Sequence, residues 1–324
     1  MNIFLFSHAR TALKFGLKTL DVRPGSEILI PDFICDVILE PLESLGIIPT
    51  FYSLFDDLSP DWKELENLVN NETRAILMVH YFGRAQDIKK FEEFVNKYKL
   101  YLIEDNAHGF GGRVEGKLLG EHGHIGILSP SKSSTMLVGG VLLVNDNGSY
   151  NLKIDLLPEF QISYWRALLK RTLKFFPRIK QLGKKWLKTR PAYGDPYAFH
   201  ELSVGDFRLD RHSKELFNSL DWKSIQCKRY NAYCSWYKFA EKYNLQPVFE
   251  SLASSLSPLC FPIYVANSEE AEYWFDWGWK RGYYVYSWPA LPIEVIEGNE
   301  KALGRWRRLV CFSTDSAPCR NLIE

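Results

Sequence analysis

Apolar residues in the first 150 positions gather into short unbroken runs, separated by longer stretches in which they recur every third or fourth residue. The runs "EILIP" (27–31), "IPTFYSL" (48–54), "RAILMVHYF" (74–82), "LYLIED" (100–105), "IGILSP" (125–130) and "VLLVND" (141–146) predict buried strands. Between the first four lie helical patterns such as "SPDWKELENLVNN", where Ser59 can cap, and "DIKKFEEFVNKYK", where Asp87 can. Strands alternating with helices of this length imply an α/β fold with a mostly parallel central sheet flanked by helices. Ligands bind such sheets at the carboxyl ends of the strands. The residues immediately after each strand are therefore the candidates for chemistry.

Two of these junctions carry unusual groups. After "LYLI" comes "EDNAHGFGG", with Glu104, Asp105 and His108; after "IGIL" comes "SPSKSSTMLVGG", with Lys132 among small hydroxyl residues. Each residue alone also reads as an ordinary solvated loop charge. Delivered to one sheet edge, a carboxylate and a lysine suit a cofactor that is a pyridinium at one end and an aldehyde at the other. Pyridoxal phosphate needs a lysine for its Schiff base and an Asp to keep the ring nitrogen protonated.

Composition narrows the class of molecule. A chain of 324 residues, 46% hydrophobic, can bury a large core and suits two domains better than one. A net charge of +1 gives no global field toward nucleic acid, and none is expected as a partner. The six cysteines, at 35, 227, 234, 260, 311 and 319, show neither metal-ligand spacing nor disulfide-scaffold density. The opening "MNIFLFSHARTALKFG" is unlike a secretory signal, and no apolar segment is long enough to span a bilayer. A cytoplasmic location is the expectation, with no metal site.

Five blocks in order then carry a family resemblance: "HARTAL" (8–13), "GSEILIPDFIC" (25–35), "VHYFGRAQD" (79–87), "EDNAH" (104–108), and "SPSK" with "GG" (129–132, 139–140). From Ser7 to about Asp146 the chain resembles the DegT/StrS-type sugar aminotransferases, fold-type-I, pyridoxal-phosphate-dependent enzymes of nucleotide-sugar metabolism. The resemblance implies that Lys132 is the Schiff-base lysine and proton carrier, and Asp105 the ring-nitrogen partner. His108 stands where the family usually has Gln, beside the ring and its phenolic oxygen. It further implies a homodimer with shared active sites, a nucleotide-sugar substrate and an amino-acid donor, glutamate by family habit.

The departures from the pattern concern the cofactor's phosphate and ring. The small phosphate-binding pair becomes Ala9 and Arg10, and the Ser five residues before the lysine becomes Ile127. Arg is a good bidentate phosphate ligand, so the cradle can be rebuilt around charge. The ring-stacking aromatic becomes Cys35, with Phe33 two residues away. In the second half, "VGDFRL" (204–209) matches a family motif whose Asn reaches the neighbouring subunit's phosphate, and Asp206 takes that Asn's place. "CFPIYVAN" (260–267) reads as a small-domain strand, and "VYSWPALP" (285–292) takes the place of a substrate-facing loop. The aromatic run "YWFDWGWKRGYYVYSW" suits either core packing or stacking on a nucleotide base.

One segment has no counterpart in the family. Residues 160–194 hold ten Lys and Arg between Arg166 and Arg190 and no Asp or Glu, with Trp165, Leu169, Leu173, Phe176 and Trp186 near helical spacing. Three readings stand for its stretch 160–190: peripheral contact with an anionic membrane, a helical pair packed on the body, or attraction of a nucleotide diphosphate. The expected organisation is a large cofactor-binding α/β domain at 1–150, a basic helical insertion at 151–200, and a smaller C-terminal α/β domain at 201–324. The expected function is amination of a keto group on a nucleotide-linked sugar for cell-surface polysaccharide synthesis. The alternative is a catalytically degenerate relative that binds a partner or membrane.

Overall fold

The computed structural model describes residues 1–145, 152–161, 193–194, 196 and 204–323. From residue 162 onward, the basic stretch expected at 160–190 lies outside these residues.

Seven strands form the larger sheet: β1 (Asn2–Phe6), β2 (Glu27–Pro31), β3 (Ile48–Tyr52), β4 (Thr73–Val79), β5 (Tyr101–Asn106), β8 (Ile125–Leu128) and β9 (Gly140–Val144). Two short strands, β6 (Arg113–Val114) and β7 (Lys117–Leu118), form a separate hairpin. The order is β1-β9-β8-β5-β4-β2-β3. The five strands from β8 to β3 pair in parallel, and β9 and β1 add antiparallel at the edge. β8 and β9 are buried throughout, as strands covered on both faces must be. The first strand was not among those expected: its five residues, "NIFLF", are only partly covered at the sheet edge.

Capping sets where the helices begin. α1 (Ala9–Thr19) follows β1, and α2 (Leu39–Glu43) precedes β3. α3 (Trp62–Leu68) is capped by Asp61, which accepts from the Lys63 and Glu64 N–H groups, and not by Ser59. Ser59 is instead turned onto Asp57 Oδ1 at 2.6 Å, and Pro60 separates it from the helix. Asp87 caps α4 (Ile88–Tyr98) as expected, accepting from Lys90 N–H. α5 (Pro130–Ser133) is a single turn after β8.

The second half builds a smaller antiparallel sheet in the order β10-β11-β13-β12, from Gln246–Pro247, Cys260–Tyr264, Leu309–Ser313 and Val285–Tyr286. Helices Trp222–Lys242 and Ser268–Arg281 cover it. Trp236, Phe239, Trp274, Trp277 and Phe312 interlock in its core, so most of the aromatic run is packing. Tyr273 and Tyr284 are the exceptions, 59% and 63% exposed. Among the described residues no helix is long and apolar enough to cross a membrane, and no cluster of His, Cys, Asp and Glu could hold a metal.

Candidate active site

Strand register creates the site. β4, β5 and β8 lie side by side so that Val79, Asp105 and Ile127 form one row across the carboxyl ends. β8 then runs into α5, whose one turn lifts Lys132 above that row. The glycine pair that follows lets β9 start hard against the chain entering α1: Gly139 N–H donates to the Ser7 carbonyl at 2.8 Å, and a Cβ on Gly140 would run into the His8 carbonyl. The start of α1 is thereby brought to the same edge as the lysine.

These elements enclose a cavity of about 680 Å³, counted out to its open mouth. Ala9, Arg10, Cys35, Asp105, His108 and Lys132, six of the seven residues expected from the sequence, line it, together with Ile127. Asp206 does not. It is held by Lys14 of the same chain at 2.9 Å, in a neighbouring polar cleft that also contains Arg10 and Glu40. Arg10 is itself paired with Glu40 at 3.0 Å.

The electrostatics of the cavity are set by burial. Asp105 is pushed above the ordinary carboxylate range by burial, partly offset by the Ala107 N–H on its Oδ1 (2.8 Å) and by the charge of Lys132. His108 is held well below the ordinary histidine range, first by burial and then by Lys132, so its ring is neutral. Its Nδ1 lies 3.3 Å from Phe82 N–H and its Nε2 3.1 Å from Lys132 Nζ, so the ring is bonded at both nitrogens. Burial pushes the Cys35 thiol up to about 11, so it is an uncharged, unreactive wall. Phe33 is fully buried behind it against Trp288, at 4.9 Å between centroids, and does not line the cavity.

Three further residues belong to the site and were not singled out in the sequence. His80, at the end of β4, lines the cavity; its Nδ1 accepts from Gln86 N–H, so its Nε2–H donates to Glu104 at 2.8 Å. Trp288 closes the cavity from the second half of the chain, its ring edge-on to His108 at 5.5 Å. Arg229, 4% exposed on helix Trp222–Lys242, reaches the Lys132 carbonyl at 3.5 Å and pairs with Asp315 at 2.5 Å. His80 sits inside a block already quoted for its family likeness; Trp288 and Arg229 are far from the lysine in sequence, and only folding brings them to it.

Fold and cavity together define the class: the architecture is that of the fold-type-I, pyridoxal-phosphate-dependent transferases. Residues 5–164, just under half of the chain, match the model of the DegT/DnrJ/EryC1/StrS aminotransferase family. It is 28% identical over 313 residues to GDP-perosamine synthase of Escherichia coli O157:H7, covering 90% of this chain and 81% of that protein. It is 28% identical over 144 residues to GDP-perosamine synthase of Vibrio cholerae, covering 44% of this chain and 39% of that one. The chain spans about two fifths of the length of most of the curated relatives it matches. NtdA of Bacillus subtilis, solved with bound cofactor PMP, superposes with a TM-score of 0.65 at 15% identity over 98% of this chain and 70% of that one.

Proposed function

We propose that the protein is a pyridoxal-phosphate-dependent aminotransferase that aminates a keto group of a nucleotide-linked sugar. The observation that carries this reading is the convergence of Lys132, Asp105 and His108 on one cavity whose far wall is the start of α1 and Arg10. The donor set fits the cofactor. Burial raises the Asp105 carboxyl, and a cationic ring nitrogen placed beside it would stabilise its charged form. A neutral His108 stands beside the lysine, its Nε2 3.1 Å from Lys132 Nζ. No side chain caps α1, whose first-turn N–H groups and dipole, with Arg10, suit a phosphate.

Once bound, the cofactor supplies an aldehyde for the amine and a ring that accepts the electron pair released at the substrate carbon. The protein's part is positional. Lys132 Nζ holds the cofactor and then carries the proton to and from the substrate carbon. Asp105 keeps the ring cationic, and Trp288 and Cys35 exclude water from the cavity. In the full reaction the amino group passes from glutamate to the sugar: water supplies the oxygen of the keto acid that glutamate becomes, and the sugar's keto oxygen departs as water, so none is consumed on balance. We take a homodimer, the three-part domain division at 150 and 200, a cytoplasmic location and the membrane contact of 160–190 as parts of the same proposal, resting on the family resemblance and the basic composition.

Borohydride reduction of the protein with added cofactor, followed by peptide mass analysis, tests the assignment. Cofactor mass is expected on the peptide containing Lys132 and is lost in Lys132→Ala; mass on another lysine overturns it. A second reading, a relative without transaminase chemistry, is favoured by Arg10 being paired with Glu40 and by Ile127 at a donor position. An absorption band near 410–430 nm, of the order usual for such imines, that shifts with glutamate excludes it. A protein that stays colourless with added cofactor supports it.

A further inference from the structure

Arg10 belongs to two cavities at once. It lines the cofactor cavity beside Ala9, and it lines the neighbouring polar cleft with Lys14, Glu40, Glu43 and Asp206. Into that cleft α1 sends two cations four residues apart, and each is met by an acid from another segment: Lys14 by Asp206 at 2.9 Å, and Arg10 by Glu40 of α2 at 3.0 Å. Of the two cations, Arg10 alone also reaches the cofactor cavity.

The two ends of the Arg10–Glu40 pair are held unequally. The Arg10 side chain is 8% exposed and that of Glu40 33%. A guanidinium that deep is costly to leave without an anion. A carboxylate one-third open to solvent returns to water at small cost. The cofactor cavity also limits what else can serve a phosphate. Its lining carries two cations, Arg10 and Lys132, and in the aminotransferase reading the lysine is committed to the cofactor's aldehyde. Ala9 and Ile127 offer no side-chain donor there.

A phosphate brought to Arg10 meets an acid already bonded to it, and two anions on one guanidinium repel each other. We infer that Glu40 is an internal competitor for the cofactor phosphate. It neutralises the buried Arg10 in the cofactor-free protein and yields the guanidinium when the phosphate arrives, its carboxylate turning out to solvent. The inference rests on the aminotransferase reading and deepens it. Glu40 then sets how firmly the cofactor is retained, because each binding event must first displace it. A ligand without a phosphate does not engage Arg10 and does not feel the competition.

Calorimetric titration of the cofactor-free protein tests this with pyridoxamine phosphate and pyridoxamine, which differ in the phosphate and form no imine with Lys132. Glu40→Gln is expected to bind pyridoxamine phosphate about fivefold tighter than the parent, with pyridoxamine changed less than about twofold. Glu43→Gln removes the same charge from the same cleft, and is expected to move pyridoxamine phosphate by less than about twofold. By linkage, cofactor-free Glu40→Gln melts below the parent, and the gap closes at saturating pyridoxamine phosphate. If Glu40→Gln does not fold, Glu40→Asp, one methylene shorter, is expected to shift the same ratio of affinities in the same direction. A variant at Glu40 that binds the phosphate compound no tighter, that tightens on both compounds alike, or that is matched by Glu43→Gln overturns the inference. So does a melting gap that persists at saturation. A parent that binds neither compound and takes no cofactor onto Lys132 overturns the aminotransferase reading, and this inference with it.

Discussion

Glu104 and Asp32 stand at the carboxyl ends of β5 and β2, in the same sheet, and are buried to the same degree, 0% and 2% exposed. Glu104 is fully bonded: Oε1 accepts from His80 Nε2–H at 2.8 Å, and Oε2 from the His122 and Gly123 N–H groups at 2.8 and 3.0 Å. Burial pushes its pKa up, but His80 and the backbone N–H groups outweigh that and hold it below the ordinary value. Asp32 has one good partner, Asn299 Nδ2 at 2.7 Å; its Oδ1 has none, and Arg305 stops 3.6 Å short. Burial raises it to about 6, against the pull of Arg305. The partners of Glu104 come from its own sheet and the loop that returns to it, where covalent geometry fixes every donor. Apart from the Leu54 backbone N–H, those of Asp32 come from helix Glu300–Arg308 and its cap, in the other half of the molecule, where packing must deliver them. Local chain geometry satisfies a buried charge more completely than docking does.

The largest test of that contrast is Glu104→Ala, which strands three buried donors beside the cofactor cavity. We expect a loss of about 3 to 5 kcal/mol, read from the urea midpoint at constant m-value. A loss under about 1 kcal/mol would mean that water replaces the carboxylate and that the network is not rigid.

Next is the response to pH, where the two carboxylates pull in opposite directions. A group raised in the fold stabilises below its unfolded pKa and loses that contribution as pH climbs through the folded value. For Asp32 the loss therefore runs from pH about 4, its ordinary value, to about 6. Glu104, lowered in the fold, stabilises above its ordinary range and loses that contribution only as pH falls below it. Asp32→Asn should match the parent near pH 4 and exceed it by up to about 3 kcal/mol at pH 7, at 1.36 kcal/mol per unit. A pH-independent difference between the two proteins would contradict the assignment.

The smallest expected effect belongs to Asn299→Ala. Asn299 donates to Asp32 and its Oδ1 accepts from Ala302 N–H as the cap of the helix that carries Arg305. Loss of cap and bond together should cost about 2 kcal/mol, and the cost should shrink below pH 6 as Asp32 takes a proton. If it grows on acidification, the Asn299–Asp32 bond is not made to the charged carboxylate.

The same contrast explains what could be read from the sequence. Alternation of apolar runs and helical stretches located β2, β3, β4, β5, β8 and β9 to within a few residues, because strands buried on both faces have an unmistakable composition. Asp105, His108 and Lys132 were legible because they follow those strands directly. β1 was not, since a half-covered edge strand of five residues carries little signal, and the cap expected at Ser59 falls instead to Asp61, just past Pro60. Arg229 and Arg305 were invisible for a different reason: each acts across the junction of the two halves; Trp288 lay in the stretch 285–292 expected to face the substrate, but no spacing rule ties position 288 to 132. The cis pairing of Asp206 with Lys14 is likewise a tertiary fact that motif matching could not supply.

The edge strand also bears on how the chain is made. β1 pairs with β9 in the register Asn2↔Val144, so its partner does not exist until residue 144 has left the ribosome. At a synthesis rate of roughly 5 to 20 residues per second, the wait is on the order of ten seconds. For that interval "NIFLF" is an unpaired apolar segment on a nascent chain, open to its neighbours on the same polysome. The sheet is closed when the earliest of its strands to emerge meets the last.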